Sequence, residues 1–222
     1  MILAVTGGKG GVGKSTVAYN LAAELGAVAV DADLAMADLP SARGPDLHDV
    51  LAGRADPVEA VREDGPVDVL PCGRSLSGAR AADPARLADA VARMEREYGT
   101  VVVDSLAGMR ADAGLPLYVA DACVLVTTPD RAALADAVRI RALACRLDAG
   151  LARVVLNRAG PDPPRESVAD RLGALVVAVP ESDVVASAQA AGRPLAATAP
   201  SSRVRDRFGK LAAAVHSDCR TR

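Results

Sequence analysis

The densest chemistry in the chain lies in ten residues near its start, Gly7-Gly8-Lys9-Gly10-Gly11-Val12-Gly13-Lys14-Ser15-Thr16. Of 26 lysines and arginines only three are lysine (Lys9, Lys14 and Lys210), and two of those fall in this stretch. Arginine is a planar fork, whereas lysine is a compact charge on a flexible stem that can reach into a phosphate cradle. Gly8-x-x-x-x-Gly13-Lys14-Ser15 has the Walker A spacing. In that pattern the backbone amides of Gly8, Gly10, Gly11, Val12 and Gly13 turn inward around a polyphosphate. Lys14 would bridge the β- and γ-phosphates, the Ser15 hydroxyl would ligate Mg²⁺, and Thr16 would donate to the α-phosphate. A loop this rich in glycine, with no ligand to bind, would give up backbone entropy without compensation.

Carboxylates recur where such a ligand would need them. Asp31 and Asp33 alternate after one apolar run, and Asp104 closes another, Val101-Val102-Val103. Near a triphosphate, carboxylates make sense as Mg²⁺ partners or as acceptors for an attacking water. Asp104 fits Walker B, holding Mg²⁺ directly or through water.

These residues need a scaffold, and the hydropathy pattern supplies one. Short apolar runs at Ile2–Val5, Ala27–Val30, Val67–Leu70, Thr100–Val103, Cys123–Thr127, Arg153–Leu156 and Leu175–Val179 read as strands buried on both faces. Helical spacing over Ser15–Leu25, Pro84–Tyr98 and Arg131–Leu147 alternates with them. Alternation of this kind predicts an α/β fold: a doubly wound, mainly parallel sheet with helices on both faces. Ligands in such sheets gather at the carboxyl ends of strands. Turns are marked at residues 41–45, 73–78 and 160–164, none long enough for an interdomain linker, so residues 1–222 read as one domain.

Composition narrows the function classes. The net charge is −2, which provides no global field for nucleic acid, and aromatic residues are 2 % of the chain, so the core must be Val, Leu and Ala. The opening Met1-Ile2-Leu3-Ala4-Val5 runs straight into the glycine-rich loop and reads as a strand, not a signal peptide. No apolar run reaches the ~18 residues that span a bilayer. A cytoplasmic location is expected, peripheral to membrane or nucleoid. Cys72, Cys123, Cys145 and Cys219 form no C-x-x-C pair, which argues against a metal or iron–sulfur site. Cys123 and Cys145 read as core residues, the latter on a helical face with Leu134, Val138 and Ala142. His48, His216 and Asp121 read as surface residues.

The loop resembles the deviant Walker A motif of the MinD/ParA family of dimeric ATPases, in which a second lysine precedes the glycines. The resemblance implies that Lys9 reaches across an ATP-dependent homodimer to the partner's phosphates. Asp31 to Leu39 resembles the family's switch I. By that match Asp33 positions the hydrolytic water and lies near the metal, while Asp31 supports the loop. Asp38 stands where the family has Asn. Gly108 resembles the switch II glycine that senses the γ-phosphate, with Leu106 where proline is usual. Asn157 is similar to the residue that reads the adenine edge, and Pro180-Glu181 to the loop that closes over the base. Thr127-Thr128-Pro129 and Gly192-Arg193-Pro194 extend the resemblance over nearly the whole chain, with Asp31–Leu39 closer to MinD than to ParA.

The resemblance implies a Mg²⁺-dependent ATPase acting as a dimeric switch that recruits a protein partner. Two alternatives are a ParA-like ATPase binding DNA nonspecifically and a biosynthetic P-loop enzyme of the amidoligase or synthetase type. The last helical pattern places Val204, Phe208, Leu211 and Val215 on one face, as in a helix docked on the sheet. Residues 201–222 carry six cations against two acids, a stripe able to meet DNA phosphates or an anionic membrane surface.

Overall fold

The computed structural model describes residues 1–34, 38–40, 43–106, 108 and 114–220, except the side chains of 219 and 220. The sequence readings at Ser41-Ala42, Cys219, Arg220 and Arg222 therefore lie wholly or partly outside the described residues.

Among the described residues, seven strands alternate with ten α-helices: β1 (Ile2–Thr6), α1 (Lys14–Leu25), β2 (Val28–Ala32), α2 (Leu47–Leu51), β3 (Val69–Leu70), α3 (Leu76–Ala81), α4 (Leu87–Tyr98), β4 (Val101–Ser105), α5 (Leu115–Val119), β5 (Ala122–Thr127), α6 (Arg131–Arg146), β6 (Gly150–Ala159), α7 (Arg165–Leu172), β7 (Val176–Pro180), α8 (Asp183–Ala190), α9 (Leu195–Thr198) and α10 (Arg203–Arg220). The strands form one sheet in the order β3-β2-β4-β1-β5-β6-β7, every neighbouring pair parallel. All seven expected strands are present.

Alternate strand residues feed two cores, as the period of two demands. On one face Leu3, Val5, Val102, Val124 and Val155 pack with Val17 and Leu21 of α1 and with Phe208, Leu211 and Val215 of α10. On the other, Ile2, Val30 and Val103 pack with Leu47 and Leu51 of α2 and Val91 and Met94 of α4. Leu125, Val154 and Leu156 lie under Ile140 of α6 and Val168 of α7. The last helix thus docks on the sheet through its predicted face. No helix is long and apolar enough to cross a membrane among the described residues.

Three readings are corrected. Helix α6 buries Ala133, Ala137, Ile140 and Ala144, not the face of Leu134, Val138 and Cys145. Cys145 is exposed and contacts the Arg141 guanidinium. On that buried face Ala137 and Ile140 pack with Leu125, Val154 and Leu156 of the sheet, and Ala144 with Cys123 beside them. His48 is buried rather than superficial, on the five-residue helix α2 that Asp46 starts with a capping box to Asp49. Asp121 is exposed as expected, but its carboxylate accepts the Ile2 amide (2.8 Å) and so anchors the first strand.

Candidate functional site

The carboxyl ends of β1, β2, β4 and β6 converge around the glycine-rich loop. Gly13 ends the loop with φ 96° and serves as N-cap of α1. A Cβ there would stand 2.2 Å from Asn157 Nδ2, in a conformation that L side chains rarely adopt. Gly8 is required for a different reason: its Cβ would strike Asp136 of α6, with backbone atoms at 2.7 Å. Lys14 is buried (8 % exposed) at the first turn of α1. A desolvated ammonium at the positive end of a helix suits an anion.

Asn157 sits where β6 becomes irregular against β7, followed by Arg158 at φ 51°. Bulges of this kind re-aim side chains beside sites. Here Nδ2 of Asn157 donates to the Val12 carbonyl (2.8 Å), tying β6 to the loop. On α1, the Asn20 amide nitrogen donates to the Thr16 carbonyl and its oxygen accepts the Leu195 amide, both 2.8 Å. Asn20 was not singled out by the sequence reading. Its signal was a polar residue on the helix face that packs inward.

The acids divide into two roles. Asp31 and Asp104 lie opposite each other on neighbouring parallel strands. Asp31 accepts the amides of Asp38 (2.9 Å), Leu39 (3.0 Å) and Asp33 (3.4 Å), so it folds the following loop back on itself. Burial raises its pKa to about 6 in spite of those bonds. Asp104 is 1 % exposed, and among the described residues neither oxygen has a hydrogen-bond partner; the Ser15 hydroxyl lies nearby but donates to Asp38. Burial pushes its pKa up to about 8; the Ser15 hydroxyl and Lys14 oppose the rise, and Asp31 adds to it. Asp33 is also buried. Ser15 donates to Asp38 (3.2 Å), so Asp38 stands beside the hydroxyl predicted to ligate metal.

An orphaned carboxylate next to the Ser15 hydroxyl fits a hard divalent cation. Mg²⁺ is commonly held by one or two carboxylates, with phosphate and water oxygens completing the octahedron. The described residues include no group of three or more His, Cys, Asp or Glu that could hold a metal ion by themselves. A bound phosphate oxygen would have to complete the shell.

Lys9 is half-exposed and lies 3.6 Å from Asp130 Oδ1, at the start of α6. A hydrogen bond from Thr128 (2.6 Å) and the Ala133 amide also hold the Asp130 carboxylate, and its pKa is lowered. Gly108 is described at φ 99°, while Ala107 and 109–113 of the same segment lie outside the described residues. Pro180 and Glu181, at the end of β7, are exposed.

A cleft of about 270 Å³ opens beside Ser15 and Thr16 and is walled by Tyr19, Arg74, Gln189 and Arg193 among others. Thr16 donates to Gln189 (3.1 Å) and Tyr19 to the Gly192 carbonyl (3.2 Å). Tyr19, Arg74 and Gln189 were missed in the sequence; only Arg193 lay in a noted motif. Asn157, Pro180 and Glu181 do not line this cleft.

Residues 3–195 match the CobQ/CobB/MinD/ParA nucleotide binding domain. The chain is 36 % identical over 203 residues to an uncharacterized ATP-binding protein of Methanocaldococcus jannaschii, covering 85 % of this chain and 77 % of that one. The crystal structure of the Pyrococcus furiosus cell division ATPase MinD superposes with a TM-score of 0.90 at 29 % identity, covering 97 % and 98 % of the two chains. The septum site-determining protein MinD of Pyrococcus horikoshii, complexed with Mg-ADP, gives 0.88 at 29 %, covering 95 % and 93 %. With its glycine-rich loop, paired strand-end acids and parallel sheet, the chain belongs to the MinD/ParA family of P-loop nucleotide-binding proteins.

Proposed function

We propose that the chain is a MinD-like, Mg²⁺-dependent ATPase whose ATP-bound form dimerises and recruits a protein partner in the spatial regulation of a cellular process. The observation that carries this reading is the buried Asp104 carboxylate beside Lys14 and Ser15, which has no hydrogen-bond partner among the described residues. A buried carboxylate left without hydrogen-bond donors is costly to ionise unless a cation joins it.

In this reading the amides of Gly8 to Gly13 and the Lys14 ammonium bind and orient the β- and γ-phosphates. Ser15 and Asp104 hold the metal, with Asp33 at its edge. The metal, when bound, neutralises charge that develops on the transferred phosphoryl group. Asp33 accepts a proton of the attacking water and aims it. Asp31 holds the Asp33–Leu39 loop in place. Asn157 and the Pro180-Glu181 turn border the nucleoside, with Asn157 acting also as a strut beneath the loop. Gly108 follows the γ-phosphate through its amide. Lys9, half-exposed and paired only at the surface with its own Asp130, is free to exchange that partner for phosphate oxygens of a second subunit. Two facing copies would then each complete the other's charge neutralisation, so ATP becomes a dimerisation signal.

The basic stripe on α10 is partly engaged within the chain. Arg205 forms a two-pronged ion pair with Glu24 (2.7 and 2.9 Å). The pair takes one cation out of the stripe, while Arg203 and Lys210 stay exposed, so DNA and an anionic membrane are both included in the test. The test is sedimentation of wild type and Lys9→Ala with Mg·ATP, alone, with duplex DNA and with anionic liposomes. Hydrolysis and ATP-dependent dimers lost in Lys9→Ala are expected. Salt-sensitive, ATP-dependent DNA binding that vanishes in Lys9→Ala would replace this reading with a ParA-like one. Dimerisation indifferent to Lys9 would remove the trans-acting lysine.

A further inference from the structure

His48 has no part in the chemistry above, yet it is 2 % exposed and lies behind the loop that carries Asp33. Its Nε2 is 3.2 Å from the Leu34 carbonyl and 3.6 Å from Cys72 Sγ. A carbonyl only accepts, so Nε2 carries the proton and donates to Leu34. Burial pushes the Cys72 thiol up to about 12, so it stays an uncharged neighbour. Nδ1 is buried and has no hydrogen-bond partner among the described residues. The ring fits because two glycines clear a slot for it. A Cβ on Gly73 would stand 2.2 Å from Nδ1, and one on Gly78 would stand 3.2 Å away.

A side chain buried with one polar atom unsatisfied is held against a penalty. Its shorter contact, from Nε2, goes to the carbonyl of the residue after Asp33. Asp31 restrains the same segment from the other side, gathering the amides of Asp33, Asp38 and Leu39. We propose that His48 is a positioning residue for ATP hydrolysis: through its Nε2–H bond to the Leu34 carbonyl it fixes the backbone that aims the Asp33 carboxylate. The proposal rests on the reading of Asp33 as the residue that positions water. Asp31 anchors the amides and His48 anchors a carbonyl, so the segment is clamped on both backbone polarities.

The test compares His48→Gln, His48→Asn and His48→Phe. The glutamine amide nitrogen can occupy the Nε2 position, whereas the asparagine amide falls short of it. Two readouts are taken: kcat and KM for Mg·ATP, and NMR amide exchange of Asp33, Leu34, Asp38 and Leu39 in the Mg·ADP state. His48→Gln is expected to retain kcat within about twofold. His48→Asn and His48→Phe are expected to lower kcat about five- to tenfold with KM nearly unchanged, and to speed exchange at Asp33 and Leu34. Equal behaviour of the Gln and Asn variants, or a loss confined to KM, overturns the proposal. A wild-type chain that hydrolyses no ATP overturns the hydrolytic role of Asp33. Faster exchange in His48→Asn would then confine His48 to holding the segment, and unchanged exchange would remove the clamp as well.

Discussion

Replacing Asp104 by Asn should stabilise the nucleotide-free protein while abolishing its response to Mg²⁺. The side chain is 1 % exposed, both oxygens lack hydrogen-bond partners among the described residues, and Asp31 stands opposite it on β2. Its pKa moves from 3.8 to about 8, driven first by burial. Below 3.8 the carboxyl is protonated in folded and unfolded chains alike, so its stability contribution is fully present. As pH rises toward about 8, the unfolded chain ionises while the folded one does not, and stability is lost. Each unit corresponds to 1.36 kcal/mol, so the loss at pH 7 is about 4 kcal/mol. Water entry and movement of Lys14 offset part of it, leaving about 2–4 kcal/mol for the substitution to recover. An amide is buried at much the same penalty as a protonated carboxyl, so wild type and variant should coincide near pH 4. Urea unfolding across that pH range, with chelator and without nucleotide, measures the difference directly. Mg·ADP should then raise wild-type stability by mass action and do much less for the variant. Parallel pH profiles for the two proteins, or an Asp104→Asn protein less stable than wild type near pH 8, would refute the reasoning.

Lys14→Ala should weaken ATP binding roughly 10- to 150-fold, the loss of one charge-assisted contact, read by calorimetry. Lys9→Ala should leave monomer affinity for ADP within about twofold, because its side chain is half-exposed and paired with Asp130. Gly13→Ala should destabilise the fold by about 1–2 kcal/mol and weaken nucleotide binding, because φ 96° and Asn157 Nδ2 both oppose a Cβ. Phe208→Ala should cost about 3–5 kcal/mol in urea unfolding, with little change in the nucleotide affinity of the protein that remains folded, since the ring is buried on α10 in the sheet-facing core.

The strands were legible in the sequence because both faces of a parallel sheet are covered, so each strand is a short apolar run. Their ends moved by a few residues: Val67–Leu70 shrank to Val69–Leu70, and Arg153–Leu156 grew to Gly150–Ala159. Helix α6 was legible as a helix but not in its orientation. Alanine occupies both sides of it, and hydropathy alone favours the larger Leu134 and Val138 over Ala133 and Ala137. Packing on the sheet reverses that preference. The short helix α2 left little periodicity to detect, and a lone histidine gives no hint of its burial.

By itself the sequence determined a glycine-rich loop with the spacing of a phosphate-binding one. The glycines, Lys9, Lys14, Ser15 and Thr16 are contiguous, so local backbone geometry is enough to assemble a cradle from them. It also determined that Asp31, Asp33 and Asp104 end strands. Tertiary structure alone decided what those acids do. Register places Asp31 beside Asp104, and their surroundings then separate them, one satisfied by loop amides and the other without a hydrogen-bond partner among the described residues. Only the packed fold brings Asn157 under Val12, Gln189 against Thr16 and His48 behind Leu34. These pairs are 14 to 173 residues apart. No local pattern encodes such separations, because the partners meet only after the sheet has formed and the helices have covered it.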